Sequence, residues 1–230
     1  LPESGDGNDD SFNMTAKQTR FGIKVKAPEV RNWKSTAGLE FDFYGSASDN
    51  AANPRMRLAF IGLENDAWTL IAGQHYDAWN TTIPKTVNFV TMGKQGALWS
   101  RRPQLRVTRK IGLGGDSLLE ASLGAARTLG TTDIDAVGDG LDGGEDSGLP
   151  MVQWNLKYMP QGSPSGPTFA LGGHYGWEEG ERNAIDREAN YETLLIIGNA
   201  FLPVHSTFRL SGTIWTGANL GSFQGGIGKV

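Results

Sequence analysis

Cysteine, long apolar runs and a strong net charge are all missing from this sequence. No cysteine occurs among the 230 residues, which excludes a disulfide scaffold and a metal site built on thiolates. No run approaches about eighteen consecutive apolar residues, so we expect no transmembrane helix. The formal net charge is -4, and this slightly acidic balance offers no bulk attraction for nucleic acid.

The start of the chain also lacks the features of a targeting segment. Its first ten residues, LPESGDGNDD, contain no initiator methionine, no basic stretch and no apolar core. We therefore interpret the chain as a mature or excised segment, in which an original targeting signal would not be visible.

Short segments of alternating apolar and polar residues are abundant, whereas signals for helices are nearly absent. In residues 151–159, MVQWNLKYM, every second side chain is apolar. The same pattern from Arg55 predicts that Met56, Leu58 and Phe60 lie opposite Arg55 and Arg57. Counted along the chain, such segments predict ten strands.

The connections between these strands alternate between short and long. RNWKST, LENDA, GLGGD, MPQGSPSGP and LPVHS are short, whereas the links between them are long and rich in glycine, asparagine and aspartate. One long link is the polar run from Glu178 to Asn190. Tight turns at one end and long loops at the other are typical of an antiparallel up-and-down transmembrane β-barrel.

A soluble barrel or β-sandwich would show the same alternation, so the apolar face and the strand ends decide between the alternatives. The apolar face bears few charges, and aromatic residues cluster near strand ends, as in the interfacial girdles of a membrane barrel. The candidate girdle residues are Trp68, Tyr76, Trp79, Trp154, Tyr158, Tyr175 and Trp177. This pattern favours the membrane barrel.

One connection, from about residue 77 to residue 103, is far longer than an ordinary hairpin loop. A loop of this length within a compact β pattern is either functional or disordered. It contains apolar residues such as Phe89 and Trp99 among Lys85, Lys94, Arg101 and Arg102. This composition favours a functional loop, because a disordered segment rarely keeps so much apolar material.

Several segments resemble the DcaP-like porins of bacterial outer membranes. These segments are SFNMTAKQTRFGIKVKAP, LEFDFYGS, PRMRLAFIGLENDAWTLIAGQHYDAW, IPKTVNF and RRPQLRVTRKIG. The resemblance runs from about Ser11 to Arg109 and is weaker afterwards, in LPMVQWNLKYMP and ANLGSFQGGIGKV. It implies a homotrimer of barrels with about sixteen strands, in which a long loop folds inward to narrow a pore for small, mostly anionic solutes.

The strand count departs from that family, because ten strands are too few for its barrel. We therefore expect residues 1–230 to be a single, incomplete β-barrel domain with strands missing on both sides. The loop of about residues 77–103 would be the inward-folding one.

The polar face of each strand would line the pore and carry charge at little cost. A surplus of basic groups there attracts anions, and arginine can bind two oxygens of a carboxylate or phosphate. The predicted lining residues are Arg55, Arg57, Arg101, Arg102, Arg106, Lys85, Lys94, Arg20, Lys110, Lys157 and Arg209. For each of them, a salt bridge with an acid of the lumen is an equally open alternative. Arg109 faces the other way by parity, which indicates an interfacial position or a pair across strands.

Other motifs carry weaker signals. Asp133, Asp135 and Asp139 form an acidic run that could bind calcium, but Val137 interrupts the EF-hand pattern, so a solvated loop is favoured. His75 and Asp77 share one face but have no nucleophile or third ligand nearby. We predict no catalytic site, no cofactor and no resident metal.

These observations predict an outer-membrane porin that passes small, preferentially anionic solutes by passive diffusion, with membrane lipid as its surroundings. The alternative is a non-transporting β-barrel or β-sandwich surface protein that uses its long loops for adhesion, assembly or carbohydrate contact. An enzyme has no support in the sequence.

Overall fold

The computed structural model describes residues 16–45, 52–79, 98–129, 147–181, 188–221 and 223. Ten strands form one antiparallel sheet in which each strand pairs with the next along the chain. They are β1 Phe21–Lys26, β2 Lys34–Asp42, β3 Arg55–Glu64, β4 Trp68–Tyr76, β5 Arg101–Gly114, β6 Ser117–Ala126, β7 Met151–Met159, β8 Thr168–Glu181, β9 Glu188–Pro203 and β10 Arg209–Ala218. No described segment forms a helix able to cross a membrane. The prediction of an all-β, up-and-down meander of ten strands is confirmed.

The two faces of the sheet differ as the alternation predicts. The outer face carries large apolar side chains that stay exposed, including Ile23, Ile61, Leu105, Leu123 and Ile214. The inner face carries mostly polar, charged and glycine residues at the positions between them, with some apolar residues such as Ile71 and Met151. An apolar exterior around a polar interior is the arrangement of a membrane barrel, because the exterior contacts lipid and the interior contacts water.

Short turns close one end of the sheet. Between β1 and β2, Arg31 and Asn32 have φ angles of 49° and 60°, and Val30 and Trp33 bridge across them. Two residues with positive φ match the right-handed twist of the flanking strands. Between β3 and β4, the Asn65 Oδ1 atom accepts hydrogen bonds from the backbone N–H groups of Ala67 and Trp68, at 2.9 and 2.7 Å.

One predicted long connection is shorter than expected. β8 and β9 remain paired as far as Glu181 and Glu188, so the polar run from Glu178 to Asn190 contributes to two strands. Charged residues do not by themselves end a strand, because strand pairing is made by backbone groups. The residues between these strands, 182–187, lie outside the described part.

A bulge in β3 corrects the predicted parity of that strand. Glu40 pairs with Leu58, whereas Phe41 pairs with Met56, so Arg57 is the additional residue. Beyond the bulge, Leu58 and Phe60 share the inner face with the arginines instead of opposing them. Phe60 packs edge-on against His75, with 4.8 Å between ring centroids, and occupies the space over Gly38. A bulge adds one residue to one strand and thereby exchanges the faces.

A lysine placed on the outer face should therefore destabilise the protein more than one placed inside. For Leu105→Lys we expect a loss of roughly 2–4 kcal/mol of unfolding free energy, because the charge enters the hydrocarbon region. Thr69→Lys, on the inner face, is the matched control and should lose far less. Urea titrations of the protein folded in lipid vesicles measure both, and equal losses would contradict this assignment of faces.

Candidate functional site on the inner face

The inner face encloses a cavity of about 680 Å³, lined by side chains from β3 to β9. Thr69 and Ile71 of β4, Thr108 of β5, Ser122 of β6 and Asn155 of β7 contribute to its wall. Residues from so many consecutive strands can line one cavity only if the sheet curves around it. The cavity is the candidate site, and charged side chains surround it.

Tyr76, the last residue of β4, joins three of the predicted arginines. Its hydroxyl group accepts a hydrogen bond from Arg57 Nη2 at 3.1 Å, and its carbonyl oxygen accepts one from Arg106 Nη1 at 3.2 Å. The Arg101 guanidinium lies 5.8 Å from the centre of the Tyr76 ring. The structure thus gathers arginines from β3 and β5 at the long-loop end of the sheet, beside the cavity. Tyr76, which the pattern assigned to a girdle, belongs to this group.

Arg57 and its neighbour on β3, Arg55, are neutralised by acids of β2. Arg55 donates from Nε and Nη2 to the Asp42 carboxylate at 3.0 and 2.7 Å. Arg57 donates to the same carboxylate from Nη1 at 2.8 Å and to Glu40 from Nε at 2.5 Å. Asp42 and Arg57 are buried, and Arg55 is partly exposed. The salt-bridge alternative that the sequence left open therefore holds for Arg55 and Arg57.

Lys110 and Lys157 are paired as well. Lys110 forms an ion pair with Glu64, and Lys157 Nζ donates to Glu120 Oε2 at 2.7 Å. Glu120 lies opposite both lysines in the register. The row Glu64, Lys110, Glu120 and Lys157 alternates in sign across the wall, so this level of the cavity is balanced in charge.

Arg101 and Arg106 differ from the other inner arginines. In the described ranges, neither forms an ion pair with a carboxylate. The Arg106 Nη2 atom lies 3.4 Å from His75 Nδ1, and Arg101 rests over the Trp99 ring at 5.2 Å as well as over Tyr76. These contacts hold both guanidinium groups in position without cancelling their charge.

The long loop leaves β4 toward the inner face. Asp77 pairs with Arg102, with 2.9 Å between Oδ1 and Nε, and Gln153 Nε2 donates to Asp77 Oδ1 at 2.8 Å. The Ala78 backbone N–H group donates to Gln153 Oε1 at 3.0 Å, and Asn199 Nδ2 donates to the Trp79 carbonyl oxygen at 3.4 Å. The root of the loop is thereby attached to β7 and β9 across the interior.

Apolar residues complete this attachment on the inner face. They form an inner cluster of Trp79, Leu98, Ala126, Met151, Leu195, Ile197, Leu220 and Phe223. His174 joins it through its ring, which is 5.0 Å from that of Trp79 and 4.6 Å from that of Phe223. Gly172 is required beneath it, since a Cβ atom there would approach the Trp79 Cβ atom to 2.9 Å.

Two predictions need correction at this cluster. Trp79 is 0% exposed, so it is a packing residue of the interior and has no surface to offer an interfacial girdle. Arg102 is also 0% exposed, with its guanidinium 4.4 Å from the Phe223 ring, so it does not line the cavity. The Arg102 guanidinium instead forms the ion pair with Asp77.

The remaining predicted residues are dispersed. Arg20 is exposed just ahead of β1, and Arg209 is exposed at the start of β10, 5.9 Å from the Phe201 ring. By the register, the remaining girdle candidates, Trp68, Trp154, Tyr158, Tyr175 and Trp177, lie on the outer face. Their interfacial role stays a prediction.

Some predicted residues lie outside the described part of the chain. They are Lys85 and Lys94 of the long loop and the acidic Asp133, Asp135 and Asp139. Within the described ranges, no group of three or more histidine or acidic residues is arranged to hold a metal ion.

Residues that the sequence did not single out hold the loop in place. Gln153, His174 and Phe223 carry most of its contacts. Gln153 and His174 lie at polar-face positions of clean alternating segments, which indicated their direction but not their partner. Phe223 follows the last strand, where no periodic signal exists.

The fold and the inner face define a class of protein: an outer-membrane type of β-barrel with a polar lumen. No protein family and no curated protein matches the sequence, but solved structures do match the fold. The outer membrane channel DcaP of Acinetobacter baumannii aligns with 96% of this chain at 21% identity and a TM-score of 0.70. A loop-deletion mutant of OmpT, an outer membrane protein of Vibrio cholerae, aligns with 86% of the chain and 60% of its own length at 9% identity and a TM-score of 0.49.

The likeness to DcaP confirms the fold that the sequence resemblance implied. The chain spans 58% of the length of that channel. The strands, their order and their antiparallel pairing are therefore those of an outer-membrane barrel of this architecture.

Removing one partner of the Asp77–Arg102 pair should be costly. For Asp77→Ala we expect a loss of about 3–5 kcal/mol of unfolding free energy, because Arg102 would remain buried without its counter-charge. The double variant Asp77→Leu with Arg102→Met should recover most of that loss. Lys157→Met, which breaks a partly exposed pair, is the control and should cost no more than about 1 kcal/mol. A double variant as unstable as Asp77→Ala would contradict this account.

Proposed function

We propose that this chain forms part of an outer-membrane channel that passes small solutes by passive diffusion and prefers anions. The observation that carries the proposal is the inner cavity, which Arg106 lines at its long-loop end, with Arg101 close by over the Tyr76 ring; neither arginine forms an ion pair with a carboxylate in the described ranges. One known structure of this fold, DcaP, is described as an outer membrane channel.

Anion preference rests on the distribution of charge along the inner face. The row from Glu64 to Lys157 is balanced, so it favours neither sign. The arginines around Tyr76 outnumber the acids that they contact, Glu40 and Asp42. A low-dielectric wall focuses such a surplus, which raises the local concentration of anions.

The constriction of this channel would be the loop of about residues 77–103. Its described ends support this assignment, because Trp79 and Leu98 both belong to the inner cluster. Lys85 and Lys94 would then add to the basic lining, with Arg20, Lys110, Lys157 and Arg209 contributing at greater distance.

The proposed function also implies what surrounds the outer face of the sheet. The exposed apolar outer face fits the hydrocarbon region of the bacterial outer membrane, with the outward aromatic residues at its interfaces. Assembly into a homotrimer is the expectation that the sequence resemblance adds.

Neutralising the two arginines should reduce anion selectivity. In planar bilayers under a salt gradient, we expect the anion-to-cation permeability ratio of Arg101→Gln with Arg106→Gln to fall at least about twofold, because the local potential drops. Arg31→Asn, an exposed arginine in the turn between β1 and β2, is the control and should leave the reversal potential unchanged. Cation preference in the unmodified protein would refute the proposal.

Releasing the loop should widen the pore. Trp79→Ala removes the central side chain of the inner cluster, at a cost of about 3–5 kcal/mol of packing. We expect a larger and noisier single-channel conductance, since the loop root loses its attachment. Trp154→Ala, a tryptophan of the outer face, should leave conductance unchanged. If both variants conduct like the unmodified protein, the loop does not set the pore width.

A further inference from the structure

Arg109 is a basic residue on the outer face, where its neighbours are apolar. It lies on β5 opposite Trp68 of β4 and Ala121 of β6. From Pro103 to Leu113, the other outward positions of β5 are Pro103, Leu105, Val107, Ile111 and Leu113. The Arg109 guanidinium therefore lies within a row of apolar side chains. It is on the opposite side of the sheet from the proposed solute pathway and does not contribute to it.

Trp68 holds this guanidinium in place. The Arg109 Cζ atom lies 4.7 Å from the centre of the Trp68 ring, which is a cation–π contact. Trp68 is the first residue of β4 and follows directly on the short turn after β3. Tryptophan in such a position is typical of the membrane interface, at the level of the lipid headgroups. Ala121 on the opposite side is small and leaves the guanidinium accessible.

The charge of Arg109 has no protein counter-ion within the described residues. Arginine on the lipid face of a barrel is costly at the midplane, and this cost falls toward the interface. A cation–π contact offsets only part of the hydration that the guanidinium gives up. The group therefore needs an anion from its surroundings.

An apolar groove begins next to Arg109 on the same face. It has a volume of about 610 Å³, and its walls include Leu70, Leu105, Val107 and Leu123. Leu70 and Val107 are paired, one outward position along from the Trp68–Arg109 pair. A cation at the end of an apolar groove matches the two parts of a phospholipid, the phosphate and an acyl chain.

We propose that Arg109 and Trp68 bind the phosphate group of a membrane phospholipid, with an acyl chain of the same lipid in the adjoining groove. The planar guanidinium donates two parallel hydrogen bonds to phosphate oxygens, which an ammonium group cannot match. This proposal depends on the proposed function in one respect, namely that the outer face of the sheet contacts lipid. Solute passage takes place on the inner face.

Lipid retention tests the site directly. The intact protein in mild detergent is mixed with phosphatidylethanolamine or with a diacylglycerol that has the same acyl chains, and bound lipids are counted by native mass spectrometry. We expect the unmodified protein to retain phosphatidylethanolamine and to lose the diacylglycerol. Arg109→Gln should weaken phosphatidylethanolamine retention about tenfold, the effect of losing charge-assisted hydrogen bonds.

Two further variants make the result specific. Arg109→Lys keeps the positive charge but loses the two parallel N–H donors of the guanidinium, so it should retain an intermediate amount of phosphatidylethanolamine. That result would also show that position 109 tolerates substitution. Arg209→Gln, which removes an exposed arginine of the inner face, should retain as much lipid as the unmodified protein. A heat-dependent shift in gel mobility verifies that every variant is folded.

The outcomes separate the two proposals. Equal retention of both lipids, or undiminished retention by Arg109→Gln, would overturn the phospholipid site and leave anion passage untouched. Loss of anion preference in the bilayer recordings together with normal lipid retention would overturn the channel proposal and leave this site standing.

Discussion

A strand in a lipid bilayer must satisfy its backbone N–H and C=O groups with neighbouring strands, and the rest of this structure depends on that constraint. Successive strands meet it by pairing in chain order from β1 to β10. Pairing in order places every second side chain outward, which separates an apolar exterior from a polar interior. The interior then has room for charged groups, and these determine what the cavity attracts.

Charge inside the sheet is arranged in two ways. Near the short turns, Lys110 and Lys157 are matched by Glu64 and Glu120, and the wall is neutral. Near the long loops, Arg55 and Arg57 are paired with acids, whereas the backbone carbonyl and aromatic ring of Tyr76 orient Arg106 and Arg101 without neutralising them. A carbonyl oxygen or an aromatic ring can hold a guanidinium and leave its charge effective, whereas a carboxylate cannot. This difference in partner separates the arginines that are paired with acids from those whose charge, under the proposed function, would act on a solute.

The sequence predicted the strands and faces well because period-two alternation is a local property. β3 begins at Arg55, where the alternating pattern starts, and the segment 151–159 is β7 as expected. The side chains that these residues contact could not be predicted in the same way, because such contacts depend on the register between distant segments. The pattern could place Lys157 inside but could not identify Glu120 as its counter-ion. It also misplaced Phe60, since a bulge leaves no trace in the alternation, and Trp79, since tryptophan serves both interfaces and cores.

The contacts that hold the loop root join residues far apart in the chain. Asp77 meets Gln153, and Trp79 meets Asn199 and Phe223. The attachment therefore cannot be complete until β9 and the residues after β10 are in place. The root of the loop therefore gains its last contacts only after the strands that surround it have paired. Under the proposed function, the channel would acquire its constriction, and with it its selectivity, only at that stage of folding.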